Sequence, residues 1–162
     1  MGVLTGYKVV EFSHYPAGAI LGMLLADQGA EVHKIEPLEG DPSRGTEAFA
    51  VWNRGKKTSL STYSSNDIDK FTAGADVVIE CLNPSEQLSL GITFESLSPS
   101  AVDKEPVVIS MPSFPKGHPL EWFQAREGMI ASIAGVYALN HSGDEPIPGE
   151  GPSFNELYYA ST

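Results

Sequence analysis

Cysteine occurs once in the 162 residues, at Cys81, so no internal disulfide can staple this fold and a disulfide-framed secreted scaffold is excluded. Basic residues are scarce as well. Ten Lys and Arg stand against 21 Asp and Glu, a formal net charge of −11. A nucleic-acid binder lays many cations against phosphates over a broad face, so DNA and RNA are not expected partners. Long apolar runs are also missing. The longest candidate, near Ile20 to Ala26, falls far short of the roughly 20 residues that cross a bilayer, and the first residues lack the basic and apolar regions of a secretory signal. A cytoplasmic protein without a membrane span is expected. There is no internal repeat and no low-complexity tract, because the 16 Gly and 12 Pro are scattered at the ends of apolar runs.

What is present reads as alternating strands and helices. Tyr7 to Phe12 is a short β-favouring run, Ala17 to Gln28 is rich in helix formers, and Glu31 to Glu36 is again strand-like, with Gly6 and Gly29 as punctuation. That is a β-α-β unit. Asp76 to Cys81 and Pro106 to Met111 are two further Val/Ile-rich runs of the kind buried on both faces of a parallel sheet. Ser64 to Ala73 and Pro84 to Leu90 carry helix-start signals, a capping serine followed by acids in one case and proline at the first helical position in the other. From Ala125 to Asn140, Met129, Ile130, Ile133, Val136 and Tyr137 recur at spacings of three and four, which predicts a helix. The expected architecture is α/β: a Rossmann-like three-layer domain with a mostly parallel sheet, built as one domain over residues 1–162.

In such a fold the turn after the first strand, Ser13-His-Tyr-Pro-Ala-Gly-Ala19, presents main-chain N–H groups and a helix N-terminus at the carboxyl edge of the sheet, where phosphates bind. The dinucleotide fingerprint G-x-G-x-x-G is absent, which disfavours NAD and FAD. Glu36 stands where an acid would hold a ribose, but its simpler reading is a strand-end carboxylate paired with a cation such as Arg44. Arg44, Arg54, Lys56 and Lys57 gather four of the ten cations within residues 44–57. Two readings stand: a seat for a small polyanion, or a loop whose cations pair with nearby acids. His14 has no second ligand at metal spacing, and a structural role is favoured for it. No G-x-S-x-G elbow surrounds Ser110 or Ser113, and Cys81 reads as a buried thiol. No metal is expected.

Several segments together resemble the family III CoA-transferases, the CaiB/BaiF group. Leu4 to Phe12 is similar to that family's opening strand and Ala17-Gly18 to its first turn. Leu25-Ala-Asp-Gln-Gly-Ala-Glu-Val-His-Lys-Ile-Glu-Pro37 with Gly40-Asp-Pro42 matches its most recognisable stretch. Asn53-Arg-Gly-Lys-Lys57, Ala75 to Glu80, Leu90-Gly91, Ser110 with Phe114, and Gly128 to Gly135 follow in family order. The resemblance implies coenzyme A or an acyl-CoA as substrate and transfer of CoA between carboxylic acids through an aspartyl-CoA thioester; relatives racemise 2-methylacyl-CoA esters. It also implies that the chain is the first part of a longer protein whose Rossmann-like domain is completed by a distant segment, and that a dimer or a partner CoA-transferase domain belongs to the assembly.

By resemblance, CoA contacts fall on the main chain at Pro16 and Ala17, on the loop at Leu60 and Ser61, and on Leu82 and Asn83. Gln124 and Arg126 lie near the thioester, with Glu127 in a supporting place. Arg54, Lys56 and Lys57 join the site on the charge pattern alone. The family's nucleophilic Asp falls at Asn155 or Glu156, depending on a one-residue gap. An amide cannot attack a thioester to form an anhydride, and a glutamate could do so only if its longer side chain reached the same point. Cys81 replaces a frequent Asn and Ser89 a frequent Arg. The expectation is a CoA-binding domain without turnover of its own, and the alternative is a noncatalytic module that pairs with a catalytic subunit.

Overall fold

The computed structural model of the protein describes residues 2–97, 105–123 and 127–134. The chain divides into two compact units, residues 1–112 and 113–162. The first is an α/β unit whose elements run β1 (Lys8–Ser13), α1 (Pro16–Asp27), β2 (Glu31–Pro37), α2 (Glu47–Trp52), β3 (Lys57–Ser61), α3 (Ser65–Thr72), β4 (Val77–Cys81), α4 (Pro84–Leu90), α5 (Phe94–Leu97) and β5 (Val107–Ser110). In the second unit Phe114 stacks on His118 with centroids 5.0 Å apart, and α6 spans Glu127–Ile133. The expected positions Val136 and Tyr137 of that helix, and everything after residue 134, lie outside the described residues.

All five strands are parallel, in the order β3-β2-β1-β4-β5. The chain therefore builds outward from β1 to one side, then crosses back to build the other side, which puts the change of direction between β1 and β4. Three elements go beyond the sequence reading: α2, α5 and the edge strand β3, which lies where the sequence predicts a loop. β3 has the sequence Lys-Thr-Ser-Leu-Ser and buries only its last residue, so it carries neither an apolar run nor a clean alternation. Helix starts follow local chemistry. The Ser64 side chain caps α3, and α4 opens with a capping box in which Asn83 and Glu86 satisfy each other's backbone N–H.

The two faces of the sheet differ. On one, Val10, Phe12, Ile35 and Val78 pack with Ile68, Leu82, Ile92 and Leu97 into a single apolar core, each fully buried large side chain contributing about 1.5–3 kcal/mol. On the other, the amino half is apolar, with Val9, Val32 and Ile79 in a cluster that leans on α1. The carboxyl half of that face is ionic. Glu11 lies beside Lys34 in register, and both are fully buried together with Glu36 and Ser13. Alternation of side chains along a strand makes this possible, since Glu11 sits between Val10 and Phe12, and Lys34 between His33 and Ile35, which face the opposite side.

Candidate functional site

At the change of direction, the carboxyl ends of β1 and β4 deliver the chain into α1 and α4, so two helix N-termini flank one crevice. They are not equivalent. The capping box closes the first turn of α4, whereas Tyr15 at the head of α1 gives no side-chain cap; Pro16 has no N–H and the Gly18 N–H is directed at Cys81, so the Ala17 N–H is the first-turn donor to consider for a ligand. A polar cluster bridges the two helices. Asn83 Nδ2 donates to Tyr15 Oη at 3.2 Å, and Tyr15 Oη donates to Glu86 Oε2 at 3.3 Å. His14 Nδ1 stands 3.8 Å from Glu86 Oε1, while its Nε2 lies 3.3 Å from Tyr63 Oη. Tyr63 in turn donates to the Ile35 carbonyl at 3.2 Å and has φ of 55°, a left-handed conformation that bulky residues adopt only under constraint. Burial, reinforced by the carboxylates of Glu36, Asp41 and Glu86, pushes the Tyr63 phenol above its ordinary range.

Beneath α1 the ionic half of the sheet forms a closed network. Lys34 Nζ donates to Glu11 Oε1 at 3.1 Å and to the Ser13 carbonyl at 2.7 Å, and pairs with Asp41 Oδ2 at 2.9 Å. Lys56 Nζ donates to Glu11 Oε2 and the Ala19 carbonyl, each at 2.7 Å, and to Asn53 Oδ1 at 3.0 Å. Two ammonium groups thus face two carboxylates with every ammonium proton placed, the arrangement that buried charge requires. Burial drags the Lys56 ammonium below the usual lysine value even against the pull of Glu11. The sequence reading names none of Glu11, Lys34 and Asp41 as a site residue. The available signal is a charged residue at the centre of each of the strands β1 and β2, and none marks Asp41.

The sequence-derived site residues distribute as follows. Pro16 and Ala17 open α1, Leu60 and Ser61 end β3, and Leu82 and Asn83 follow β4, so these six lie at the carboxyl edge of the sheet. Ser61 Oγ donates to Asp67 and accepts the Tyr63 N–H, which fixes the end of β3. The basic cluster splits. Lys56 enters the buried network, Arg54 pairs with Asp27 and contacts Met23 Sδ, and Arg44 grips Glu36 with two hydrogen bonds while lying 4.9 Å over the Phe49 ring. Lys57 opens β3 at the amino edge, exposed, where it lines a cavity of about 140 Å³ with Lys8, His33 and Phe71. Burial raises the Cys81 thiol to about 11, so it is not a thiolate nucleophile near neutrality. Among the described residues no group of three or more His, Cys, Asp or Glu is placed to hold a metal. Glu127 opens α6; Gln124, Arg126, Asn155 and Glu156 lie outside the described residues.

Two carboxylates make the first testable statement. Burial alone would raise Glu86, but hydrogen bonds from His14, the Asn83 amide and Tyr15 hold it below its ordinary value; for Asp41 burial is likewise overcome by Lys34 and Ser43. A folded-state pKa below the unfolded one stabilises the fold above the unfolded pKa, and the gain drains away as pH falls through the folded value. The contribution is therefore complete above about pH 4.5 and shrinks below it. Urea midpoints should fall steadily with acidification in that range, and Glu86→Gln should flatten the slope. A midpoint that stays level down to about pH 3 contradicts the assignment.

Comparison with known proteins bears on the family and the fold. The model of CoA-transferase family III matches residues 4–159. The CoA-transferase/lyase DddD of Marinomonas sp. (strain MWYL1) is 33% identical over 165 residues, which cover 98% of this chain and 19% of that protein. A succinyl-CoA:mesaconate CoA-transferase of Haloarcula marismortui is 28% identical across 99% of this chain and 45% of its own. The crystal structure of a CAIB/BAIF family protein from Brucella suis superposes with a TM-score of 0.81 at 28% identity, covering 99% of this chain and 47% of that one. The chain spans less than half the length of each of these relatives.

Proposed function

The chain belongs to CoA-transferase family III, and from that premise we propose that it binds a CoA thioester at the carboxyl edge of its sheet, as the N-terminal part of machinery that moves CoA between carboxylic acids. The observation that carries the reading is the uncapped start of α1 at the change of strand direction, in a chain matched by the family over nearly its whole length. The Ala17 N–H, next to Pro16 in the first turn, suits a phosphate or amide oxygen of the ligand. Leu60, exposed at the end of β3, and the segment Leu82-Asn83 offer apolar and polar walls at the same edge. Gln124, Arg126 and Glu127 are assigned to the thioester end. Arg54 and Lys56 are assigned supporting roles through the ion pairs described above, and Lys57 a peripheral one at the other edge.

In the proposed chemistry a carboxylate attacks the thioester carbonyl and expels CoA as thiolate, leaving a mixed anhydride; the thiolate attacks the enzyme-side carbonyl and releases the donor acid, and the acceptor acid then takes CoA from the enzyme thioester by the same two steps in reverse, so that one exchange is split into easier ones. Asn155 cannot act as that carboxylate; Glu156 is the one acid at the expected place. The 162-residue chain alone is therefore proposed to bind CoA without turning it over, in the cytoplasm, with no metal in the reaction. Among the described residues no helix is long and apolar enough to cross a membrane. Calorimetric titration with CoA and with acetyl-CoA tests the reading. Saturable heat with no acyl exchange is expected. A folded chain that gives no heat at millimolar ligand would retire it.

Asn155 and Ser89, standing where the family resemblance places an Asp and an Arg, favour one alternative, a noncatalytic module that pairs with a catalytic partner chain or domain. Light scattering of a mixture with a catalytic relative separates the two: a hetero-assembly supports the module, and a CoA-binding monomer does not.

A further inference from the structure

We propose that the buried ammonium groups of Lys34 and Lys56 are positioning residues for coenzyme A, gripping the main chain on either side of the His14–Gly18 turn and fixing it in the shape that receives the ligand. This rests on the functional reading above and deepens it. Lys34 Nζ holds the Ser13 carbonyl at 2.7 Å, at the last residue of β1, and Lys56 Nζ holds the Ala19 carbonyl at 2.7 Å, in the first turn of α1. Both ammonium groups hang from one carboxylate, Glu11, through different oxygens. Glu11 is thus the bridge of a two-pronged clamp whose prongs lie immediately before and after the five-residue turn that contains Pro16 and Ala17, the two residues assigned to the ligand.

Sheet packing does not require this arrangement. The amino half of the same face does the packing with Val9, Val32 and Ile79, and apolar residues of similar volume commonly replace buried ion pairs without loss of stability. Charge is confined to the half that underlies the turn. Hydrogen bonds from an ammonium to a carbonyl are directional and stronger than neutral ones, so they fix where a carbonyl points, which apolar contacts cannot do. The clamp also reaches outward. Asp41 pairs with Lys34 and Asn53 accepts from Lys56, so the segment between β2 and β3 is tied to the same two prongs.

The test uses the whole chain. Lys56→Met alone leaves Glu11 short of a partner and destabilises the fold; Lys56→Met combined with Glu11→Gln removes both charges and keeps the volumes. Three readings are taken on the double variant: the urea midpoint, exchange of the Gly18 and Ala19 amides without ligand, and CoA affinity by calorimetry. The expectation is a midpoint near wild type, with exchange about tenfold faster and CoA bound about tenfold more weakly, the loss of one charge-assisted hydrogen bond. A purely structural role predicts that affinity returns with stability, and that result overturns the proposal, as does faster exchange with unchanged affinity. Should the double variant fail to fold, the wild-type chain decides: Lys56 ammonium protons that exchange slowly and show NMR cross-peaks to Ala19 support the clamp, and an ammonium in rapid exchange with water overturns it. Absence of CoA heat from the wild-type chain would instead strike the functional reading and the ligand named here, while unchanged exchange at Gly18 and Ala19 in a folded variant strikes the clamp alone.

Discussion

Lys34→Met should lower the unfolding free energy by about 4 kcal/mol, because breaking a buried ion pair from one side leaves its carboxylates without a counter-charge. Lys34 is fully buried and stands between two acids, Glu11 at 3.1 Å and Asp41 at 2.9 Å. Removing its ammonium leaves Glu11 with Lys56 and takes from Asp41 its ion-pair partner. The methionine fills nearly the same volume, so the loss reports on charge and hydrogen bonding and not on a cavity. Urea denaturation at neutral pH measures it. Lys57→Met is the control, since that side chain is exposed and lies 3.9 Å from an exposed Glu31; it should shift stability by no more than about 0.5 kcal/mol. If Lys34→Met stays within about 1 kcal/mol of wild type, the network is hydrated or already neutral, and the clamp on the Ser13 carbonyl loses its foundation.

The part of this fold that was legible in sequence is the part governed by local rules. β1, β4 and β5 announce themselves as short Val/Ile-rich or β-favouring runs, β2 as a strand-like stretch after Gly29, and α4 by Pro84 behind a capping residue. The pairing of Glu36 with Arg44 was also readable, because a strand-end acid eight residues from a loop cation has few other partners. What escaped was set by tertiary neighbours. β3 is a strand only because β2 offers it a ladder, His33 opposite Lys57 through Pro37 opposite Ser61, and its own sequence carries too little apolar pattern to show it. The basic cluster misled as a group for the same reason. Arg54, Lys56 and Lys57 are near neighbours in sequence, but the start of β3 turns successive side chains to opposite faces, sending Lys56 into the buried network and Lys57 to the amino edge. The crevice residues Tyr15, Tyr63 and Glu86 come from three separate elements. No spacing along one chain could have joined them.

Gly22→Ala should cost about 3 kcal/mol, although helix propensity alone favours alanine over glycine by roughly 1 kcal/mol. A methyl group at this position in α1 would lie 2.0 Å from Glu11 Oε2 and 3.0 Å from Lys56 Nζ. Ordinarily a clash with the end of a side chain is relieved by rotation. Here the Glu11 carboxylate is held on both oxygens, by Lys34 and Ser13 on one and by Lys56 on the other, so relief means breaking a buried ion pair or lifting the helix off the sheet. A double-mutant cycle separates these causes. In a Glu11→Ala background the obstruction is gone, and Gly22→Ala should become nearly neutral or stabilising; an additive cycle would show that the cost arises elsewhere in α1. Gly18, one turn earlier, is more constrained still. Its added methyl would meet the Cβ atoms of Ser13 and Cys81 at 2.5 and 2.8 Å, and those atoms are fixed by the strands and cannot rotate away. Gly18→Ala must therefore move α1 itself, and with it the first-turn amides at the crevice, so CoA affinity should fall even where urea denaturation shows the chain still folded.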